Sequence, residues 1–472
     1  MFEPYLLPES PVTSVTDWVA LGGGEGLANA LRMGPQATID TIIASGLRGR
    51  GGAGFPVGRK WASLRETAAG GTCFVVCNGS EGEPGTFKDR ALLRLNAFQL
   101  IEGLAIAAFA IGAKHGFIGL KAKYTQEHEN LAKALADMEN EGLTAGVPIT
   151  IVPGPDSYLF GEETALLQTI QGEPSAPRLF PPYIQGVFAS APVIDWSAMP
   201  WDSLDKHYDD PAPTLVNNVE SLSTAAHILR RGVDWFRSMG TDATPGNGVC
   251  TIVGDVAAPG VQEVEMGTPL GEIIDRVGGG MPPGRKVKAI LSGISNPVMT
   301  DEFLSVPLCF DAFRAAGSGI GSCGFIVYDD TTSAVEIAQL CSRWLSVESC
   351  GQCNACKTGT MAITSILEKI QNGDGELRDI HDVGGRLLRV TDGNRCFLPQ
   401  QEQIVIASLL RTFPEDFLAA VDGQPVQVRG LFAPKLVDVA DGRQVLDEHW
   451  LLKQTDWSYE DVGVTTGIYR TE

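Results

Sequence analysis

Four cysteines have the types and spacing to hold a redox-active centre. Cys350, Cys353 and Cys356 stand at C-x2-C-x2-C spacing in ESCGQCNACKTG, and Cys396 stands apart in GNRCFL. The triplet places three thiolates on one turn and helix start, where free backbone N–H groups and the positive helix end favour an anionic cluster. A remote fourth thiolate closes the cage, so the pattern is that of a cubane iron–sulfur site and its chemistry is electron transfer. The alternatives are structural zinc and a redox disulfide. Zinc usually takes two C-x2-C knuckles or histidines, and no histidine lies near either segment. The start, MFEPYLLPES, has no basic n-region or cleavage-type signal, so the chain is expected to be cytoplasmic, where thiols stay reduced. Cys73, Cys77, Cys250, Cys309, Cys323 and Cys341 lie in apolar stretches and are expected to be buried thiols.

A second group of residues suits a nucleotide or flavin. Gly49-Arg50-Gly51-Gly52-Ala53-Gly54-Phe55 contains G-x-G-x-x-G, but Ile39, Ile42, Ile43 and Leu47 precede it at helical spacing, whereas a dinucleotide fingerprint follows a strand. The lasting content is physical: residues without a Cβ let backbone approach a flat or phosphorylated ligand, and Arg48, Arg50, Arg59 and Lys60 add positive charge. Asn78-Gly79-Ser80-Glu81-Gly82-Glu83 follows the strand-like CFVVC, Tyr158 to Thr164 (YLFGEET) follows another, and Asn217-Asn218 precedes a helix. Amides and acids at the carboxyl ends of strands suit ribityl hydroxyls, a ribose or a ring N–H. Each acid taken singly reads as an ordinary solvated side chain; their grouping carries the functional reading.

The elements that must position these residues can be read from periodicity. Residues 1–245 are expected to form an α/β domain on a largely parallel sheet, with strands in CFVVCN, HGFIGL and VPITIV and a helix from Tyr124 to Asn140. Residues 246–330 give strand, strand, helix, strand, strand, which suits a β-grasp module. Residues 331–422 turn helical in four segments, expected as a four-helix bundle carrying the cluster. Residues 423–472, with a DG turn between strand-like runs, are too short to fold alone and are expected to contact a partner. The 472 residues suit about three domains. The longest apolar run, Leu100 to Ala113, is too short to span a bilayer, so no direct membrane insertion is expected. A formal net charge of −21 argues against nucleic-acid binding. The 55 glycines and 28 prolines form no low-complexity tract and cluster in short loops of the kind that hold ligands.

Together SGLRGRGGAGFPVGRKW, CNGSEGEPGTFKDR, YLFGEETAL, PTLVNNVESL and ESCGQCNACKTG resemble the flavoprotein subunit of respiratory complex I and its relatives, the diaphorase subunits of NAD-dependent hydrogenases and formate dehydrogenases. The likeness covers residues from about 30 to 420 and implies a Rossmann-like FMN domain, a ubiquitin-like β-grasp module and a helical bundle with a [4Fe–4S] cluster. It implies that FMN lies against Gly49, Arg50 and Gly51, with Lys60, Asn78, Glu81, Tyr158, Gly161, Glu162, Asn217 and Asn218 around it. NAD(H) would stack on the flavin, Phe55 and Tyr183 flanking its adenine and Glu83 near the nicotinamide. Glu163 matches the acid with which the family disfavours NADPH, by repelling a 2′-phosphate. The chain departs from the family pattern at Ser80 (usually Asp), Ser63 (often aromatic), Phe180 (commonly basic), Arg395 before the fourth cysteine, and about eighteen extra residues between Pro182 and Pro213.

The function implied is hydride exchange between NAD(H) and FMN and transfer of single electrons to or from the cluster, because a flavin converts between the two. Within that class the chain could serve complex I or be the diaphorase subunit of a formate dehydrogenase or hydrogenase. From other classes, a scaffold that relays electrons without NADH turnover, or a zinc-stabilised module, would also hold the cysteines. A binuclear-cluster subunit usually accompanies the family this chain resembles, and no second four-cysteine set occurs here, so the resemblance implies a thioredoxin-like [2Fe–2S] subunit and a larger iron–sulfur or catalytic subunit as partners.

Overall fold

The computed structural model describes residues 3–189, 211–431 and 433–457. Most of the insertion before Pro213 therefore lies outside the described residues. Four strands, β1 (Phe74–Gly79), β2 (His115–Lys121), β3 (Ile149–Gly154) and β4 (Thr214–Asn218), form a parallel sheet in the order β3-β2-β1-β4. Helices on both faces bury the strands, hence near-continuous apolar runs such as Val75, Val76 and Cys77, all fully buried. The chain moves outward from β1 through β2 to β3 and returns to β4 on the other side of β1. The sheet thus has a topological switch point between β1 and β4, with Asn78 in register with Asn218. Strands β1 to β3 coincide with the apolar runs of the sequence; β4 does not stand out there, its five residues TLVNN being too short and too polar at one end.

The helix Lys88–Ile111 fills the space behind this sheet and ends at Gly112 in the left-handed conformation. It is long and apolar enough to cross a membrane by composition, yet 83% of its most apolar window is buried inside the fold. It crosses the helix Val219–Arg231 closely, for a Cβ on Gly103 would strike the backbone oxygen of Leu222.

Strands β5 (Asn247–Gly254), β6 (Gly260–Glu265), β7 (Val287–Ser292) and β8 (Gly324–Asp329) form a mixed sheet in the order β6-β5-β8-β7, with parallel β5 and β8 at its centre and the helix Leu270–Gly278 against it. This is the expected β-grasp arrangement. Five helices follow: Ala334–Glu348, Asn354–Gln371, Leu377–Leu387, Leu398–Thr412 and Pro414–Val421. The fifth, only eight residues long, adds to the four segments expected. A hairpin of β9 (Leu436–Ala440) and β10 (Arg443–Leu446) turns at Asp441-Gly442, and its segment packs on the rest of the chain. The Arg90 guanidinium donates to Leu436 O (2.7 Å), Gly254 N donates to Gln444 Oε1 (2.9 Å), and the Trp450 ring stacks on Trp344.

Candidate functional site

A cavity of about 660 Å³ opens at the carboxyl ends of β1 and β4, where the strand order reverses. One wall is the loop of Gly49, Gly51, Gly52, Gly54 and Phe55, which joins the helices Pro35–Ser45 and Val57–Ala68 rather than a strand to a helix. Gly49 N donates to Phe55 O (2.9 Å), closing the loop on itself. Gly54 has φ +64° and stands so close to the Phe310 ring that a Cβ has no room. Asn78, Glu81, Glu83, Tyr158, Gly161, Glu162, Glu163, Asn217, Asn218 and Lys60 line the remainder with β-grasp residues that include Ser292 and Ser295.

Two expected residues face elsewhere. The Arg50 side chain is 1% exposed and donates to Asn247 O (2.6 Å) beneath the loop, while its own N–H donates to Ser221 Oγ (2.9 Å). Tyr183 is exposed and stands outside the cavity wall. Other side chains at the wall are already engaged. Glu81, at φ +36°, accepts from Asp89 N (2.7 Å) and pairs with Arg90 Nε (2.7 Å), so its carboxylate caps the long helix. Asn218 caps its helix through Glu220 N (3.0 Å) and also accepts from Lys88 Nζ (2.9 Å) and donates to Asp89 (2.7 Å). Trp61 Nε1 donates to Asn217 Oδ1 (2.8 Å), and Asn78 Nδ2 donates to Gly161 O (2.7 Å). Ser80 Oγ donates to Asn78 Oδ1 (2.9 Å), while Ser63 is exposed on its helix.

Residues missed in the sequence complete the site. Lys88 and Asp89 lie buried under the floor, Lys88 Nζ reaching Asp89 (2.7 Å) and Glu220 (3.0 Å). Their signal is a charged FKDR at the start of the most apolar helix, where charge must be paired within the core. Ser295 and Gln401 close a ring with Glu83 and Tyr158. Ser295 Oγ (2.6 Å) and Ile294 N (2.7 Å) donate to Glu83 Oε1, Tyr158 O–H donates to Oε2 (2.7 Å), and Gln401 Nε2 donates to Tyr158 (2.5 Å) and Ser295 (2.7 Å). All three modules meet in that ring. Burial pushes the Glu83 carboxyl up, against the hydrogen bonds from Ser295, Tyr158 and Ile294. At the rim, Lys60 Nζ pairs with Glu163 at 2.5 Å, and Glu162 caps the helix Glu163–Ile170 through Thr164 N (3.0 Å) and Ala165 N (2.9 Å).

The four cysteines Cys350, Cys353, Cys356 and Cys396 ring one small cavity with Pro177, Arg395 and Pro399. Cys353 is the cap of the helix Asn354–Gln371, and Cys396 lies two residues before the helix Leu398–Thr412, so two positive helix ends converge. Burial pushes the Cys356 thiol up to about 11 and the Cys396 thiol up to about 12. Held there as thiolates, they call for a cationic partner. Among the described residues no three His, Cys, Asp or Glu side chains gather as a single ion would need. All ten cysteines are free thiols, and the other six are buried. Leu159, Cys396 and Leu398 line both cavities, so one layer of side chains separates them.

A parallel α/β layer with a ligand crevice at its switch point, joined through a shared wall to a cysteine-ringed cavity, suits a protein that exchanges electrons between a bound cofactor and a thiolate-held centre. Models of three families match the chain: the Nuo51 FMN-binding domain over residues 42–227, the SLBB domain over 249–300 and the NADH-ubiquinone oxidoreductase-F iron–sulfur binding region over 336–420. It is 36% identical to the F 2 subunit of the NADH-quinone oxidoreductase of Rhizobium meliloti, over 89% of this chain and 98% of that one. It is 33% identical to the NADP-reducing hydrogenase subunit HndC of Solidesulfovibrio fructosivorans, over 87% and 81% respectively. A crystal structure of an NAD+-reducing [NiFe]-hydrogenase in the H2-reduced state superposes with a TM-score of 0.73 at 29% identity, covering 89% of this chain and 68% of that one. The chain belongs to the family of NADH-quinone oxidoreductase F subunits. It is an oxidoreductase subunit of NADH dehydrogenase type, with FMN, NAD(H) and a [4Fe–4S] cluster as its cofactors.

Proposed function

We propose that the switch-point cavity holds FMN with NAD(H) stacked upon it, and that Cys350, Cys353, Cys356 and Cys396 hold the [4Fe–4S] cluster next door. The observation that carries this reading is the wall of Leu159, Cys396 and Leu398 common to both cavities. FMN bound there supplies the conversion between a two-electron hydride and single electrons. The cavity volume suits such a ligand, and the open space beside Gly52 admits a flat ring to the backbone. Backbone groups of Gly49 to Gly52, with Lys60, Asn78, Gly161 and Asn217, would hold the flavin; the carboxylate of Glu81 and the side chains of Arg50 and Asn218 support the wall from behind.

Glu83, fixed by Tyr158, Ser295 and Gln401, would orient the nicotinamide end and keep water from it. Phe55, exposed at the rim, suits the adenine, and the Glu163 carboxylate would disfavour a 2′-phosphate. A cubane places each thiolate on its own iron, which fits four cysteines ringing a cavity better than one shared ion. We read helices Ala334–Glu348, Asn354–Gln371, Leu377–Leu387 and Leu398–Thr412 as the bundle that carries the cluster, with Pro414–Val421 as a cap. The protein would work in the cytoplasm within a complex containing a thioredoxin-like [2Fe–2S] subunit and a larger acceptor subunit. The second reading is the diaphorase of a hydrogenase or formate dehydrogenase, and the likeness to hydrogenase subunits supports its hydrogenase form.

The test is anaerobic reduction of the purified holoprotein by NADH. Flavin absorbance should bleach and a low-temperature EPR signal of the reduced cluster should appear; Cys396→Ala should keep the bleaching and lose the signal. Flavin that NADH leaves oxidised would overturn the cavity assignment, and an unchanged EPR signal in Cys396→Ala would overturn the ligand assignment.

A further inference from the structure

The loop Ser349–Cys353 presents two of the four cysteines, and something must hold its outer side. Toward the cysteine cavity Ser349 Oγ lies 3.3 Å from Cys356 Sγ, and the exposed Gln352 donates from Nε2 to Pro177 O (3.1 Å). The outer side meets Trp457, more than a hundred residues later in the chain. Trp457 Nε1 donates to Ser349 O (3.0 Å). Its ring lies against Gly351, which has φ +77° and no room for a Cβ on that side. Lys357, the residue after Cys356, places Nζ 4.3 Å from the centre of the same ring while donating to Ser346 O (2.8 Å). One indole thus bridges the loop carbonyl, the loop glycine and the cation at the start of the cluster helix.

The segment carrying this indole is firmly anchored. Trp450 is 2% exposed, stacks on Trp344 and donates to Glu348 Oε1 (2.8 Å), and the Arg343 guanidinium donates to Leu451 O (3.0 Å) and Lys453 O (2.8 Å). Each of these anchors falls on the helix Ala334–Glu348, which leads directly into the cysteine loop. Trp457 itself remains 51% exposed, so core filling does not explain its contacts.

We infer that Trp457 is a positioning residue for the cluster, a cover supplied by the C-terminal segment that fixes the Cys350–Cys353 loop and keeps water from its outer face. The inference rests on the cluster assignment above. Cluster retention and electronic environment depend on such outer contacts and on solvent access. The test compares Trp457→Ala and Trp457→Phe with the wild-type holoprotein, first establishing four iron and four acid-labile sulfides per chain in the wild type; absence of these would sink the cluster assignment itself.

With that established, Trp457→Ala should release iron to a chelator about tenfold faster and alter the EPR line shape of the reduced cluster, as loss of an outer-shell partner does. Trp457→Phe keeps the ring over Gly351 and Lys357 but loses the N–H, and should fall between the two. A merely structural tryptophan would lower Tm and leave the line shape alone. Wild-type iron release and line shape in Trp457→Ala would overturn the inference. If Trp457→Ala does not fold, wild-type behaviour of Trp457→Phe on both readouts would overturn it instead.

Discussion

At the residue scale, the site turns on which acids remain available. Glu81 and Glu83 are two positions apart, yet Glu81 is committed to Arg90 and a helix end while Glu83 faces the cavity inside a ring of hydroxyls and an amide. Glu163 is available at the rim, balanced by Lys60. Replacing it by Gln removes the charge proposed to repel a 2′-phosphate and takes the carboxylate from Lys60. Because the pair is partly exposed, the effect is expected to be about 1 kcal/mol. NADPH kcat/KM should therefore rise several-fold with NADH nearly unchanged, and unaltered selectivity would remove Glu163 from the ribose end. A second carboxyl, Glu402, is fully buried between helices, accepting from Ser342 Oγ (2.6 Å), and burial pushes it up to about 8 from 4.5. The folded state then holds a proton that the unfolded state has released. Stability should fall as pH rises from about 4.5 to about 8, by up to about 1.4 kcal/mol per pH unit, and be flat above. Glu402→Gln should flatten the Tm profile between pH 5 and 8; an unaltered slope would show that Glu402 is ionised in the fold.

At the scale of elements, two helices deliver the cavity floor, and they are held in register by one missing side chain. Lys88 and Asp89 begin the helix Lys88–Ile111, Asn218 caps Val219–Arg231, and the two helices cross at Gly103 and Leu222. Gly103→Ala pits a helix-propensity gain of up to about 1 kcal/mol against a clash with rigid backbone, for which overpacking costs of about 1–3 kcal/mol are usual. The clash should win: Tm falls and less FMN is retained. Full flavin content at unchanged Tm would mean that the helices part without moving Lys88 or Asn218.

Such contacts explain how far the sequence could be read. Buried parallel strands and the β-grasp order were legible because apolar runs and turns repeat locally, and the cysteines because their spacing is local too. Ser295 and Gln401 were not legible, since they reach Glu83 across 212 residues (Ser295) and reach Tyr158 across 243 (Gln401). Nor could periodicity tell Glu81 from Glu83, because what separates them is long-range pairing: Glu81 is tied to Arg90 and the start of its helix, Glu83 to Tyr158 and Ser295.

For the whole molecule, three modules converge on one ring of hydrogen bonds, and the C-terminal segment straps them from outside. Arg94 reaches Asp438 (2.7 Å), Lys123 reaches Asp447 (2.8 Å), and Arg429 reaches Asp255 (2.7 Å). These pairs are partly exposed and individually weak, so the strap's hold depends more on Trp450 in its apolar seat. Among the described residues only one cysteine set is placed to hold a cluster, the other six thiols being buried. The relatives are subunits of larger complexes, and the proposed route for electrons that reach the cluster is on to another chain of such a complex. A chain of formal net charge −21 would recruit a partner bearing a basic patch, and long-range attraction of that kind is screened within about 8 Å at 0.15 M salt. The purified chain alone should pass electrons from NADH to ferricyanide but not to a quinone. Adding the partner subunits proposed above should restore quinone, hydrogen or formate-linked turnover, with an association rate that falls about tenfold or more from 50 to 500 mM salt. Stopped-flow measurement across that range decides the matter, because a salt-independent rate would mean an apolar docking face, and quinone reduction by the chain alone would remove the need for a partner.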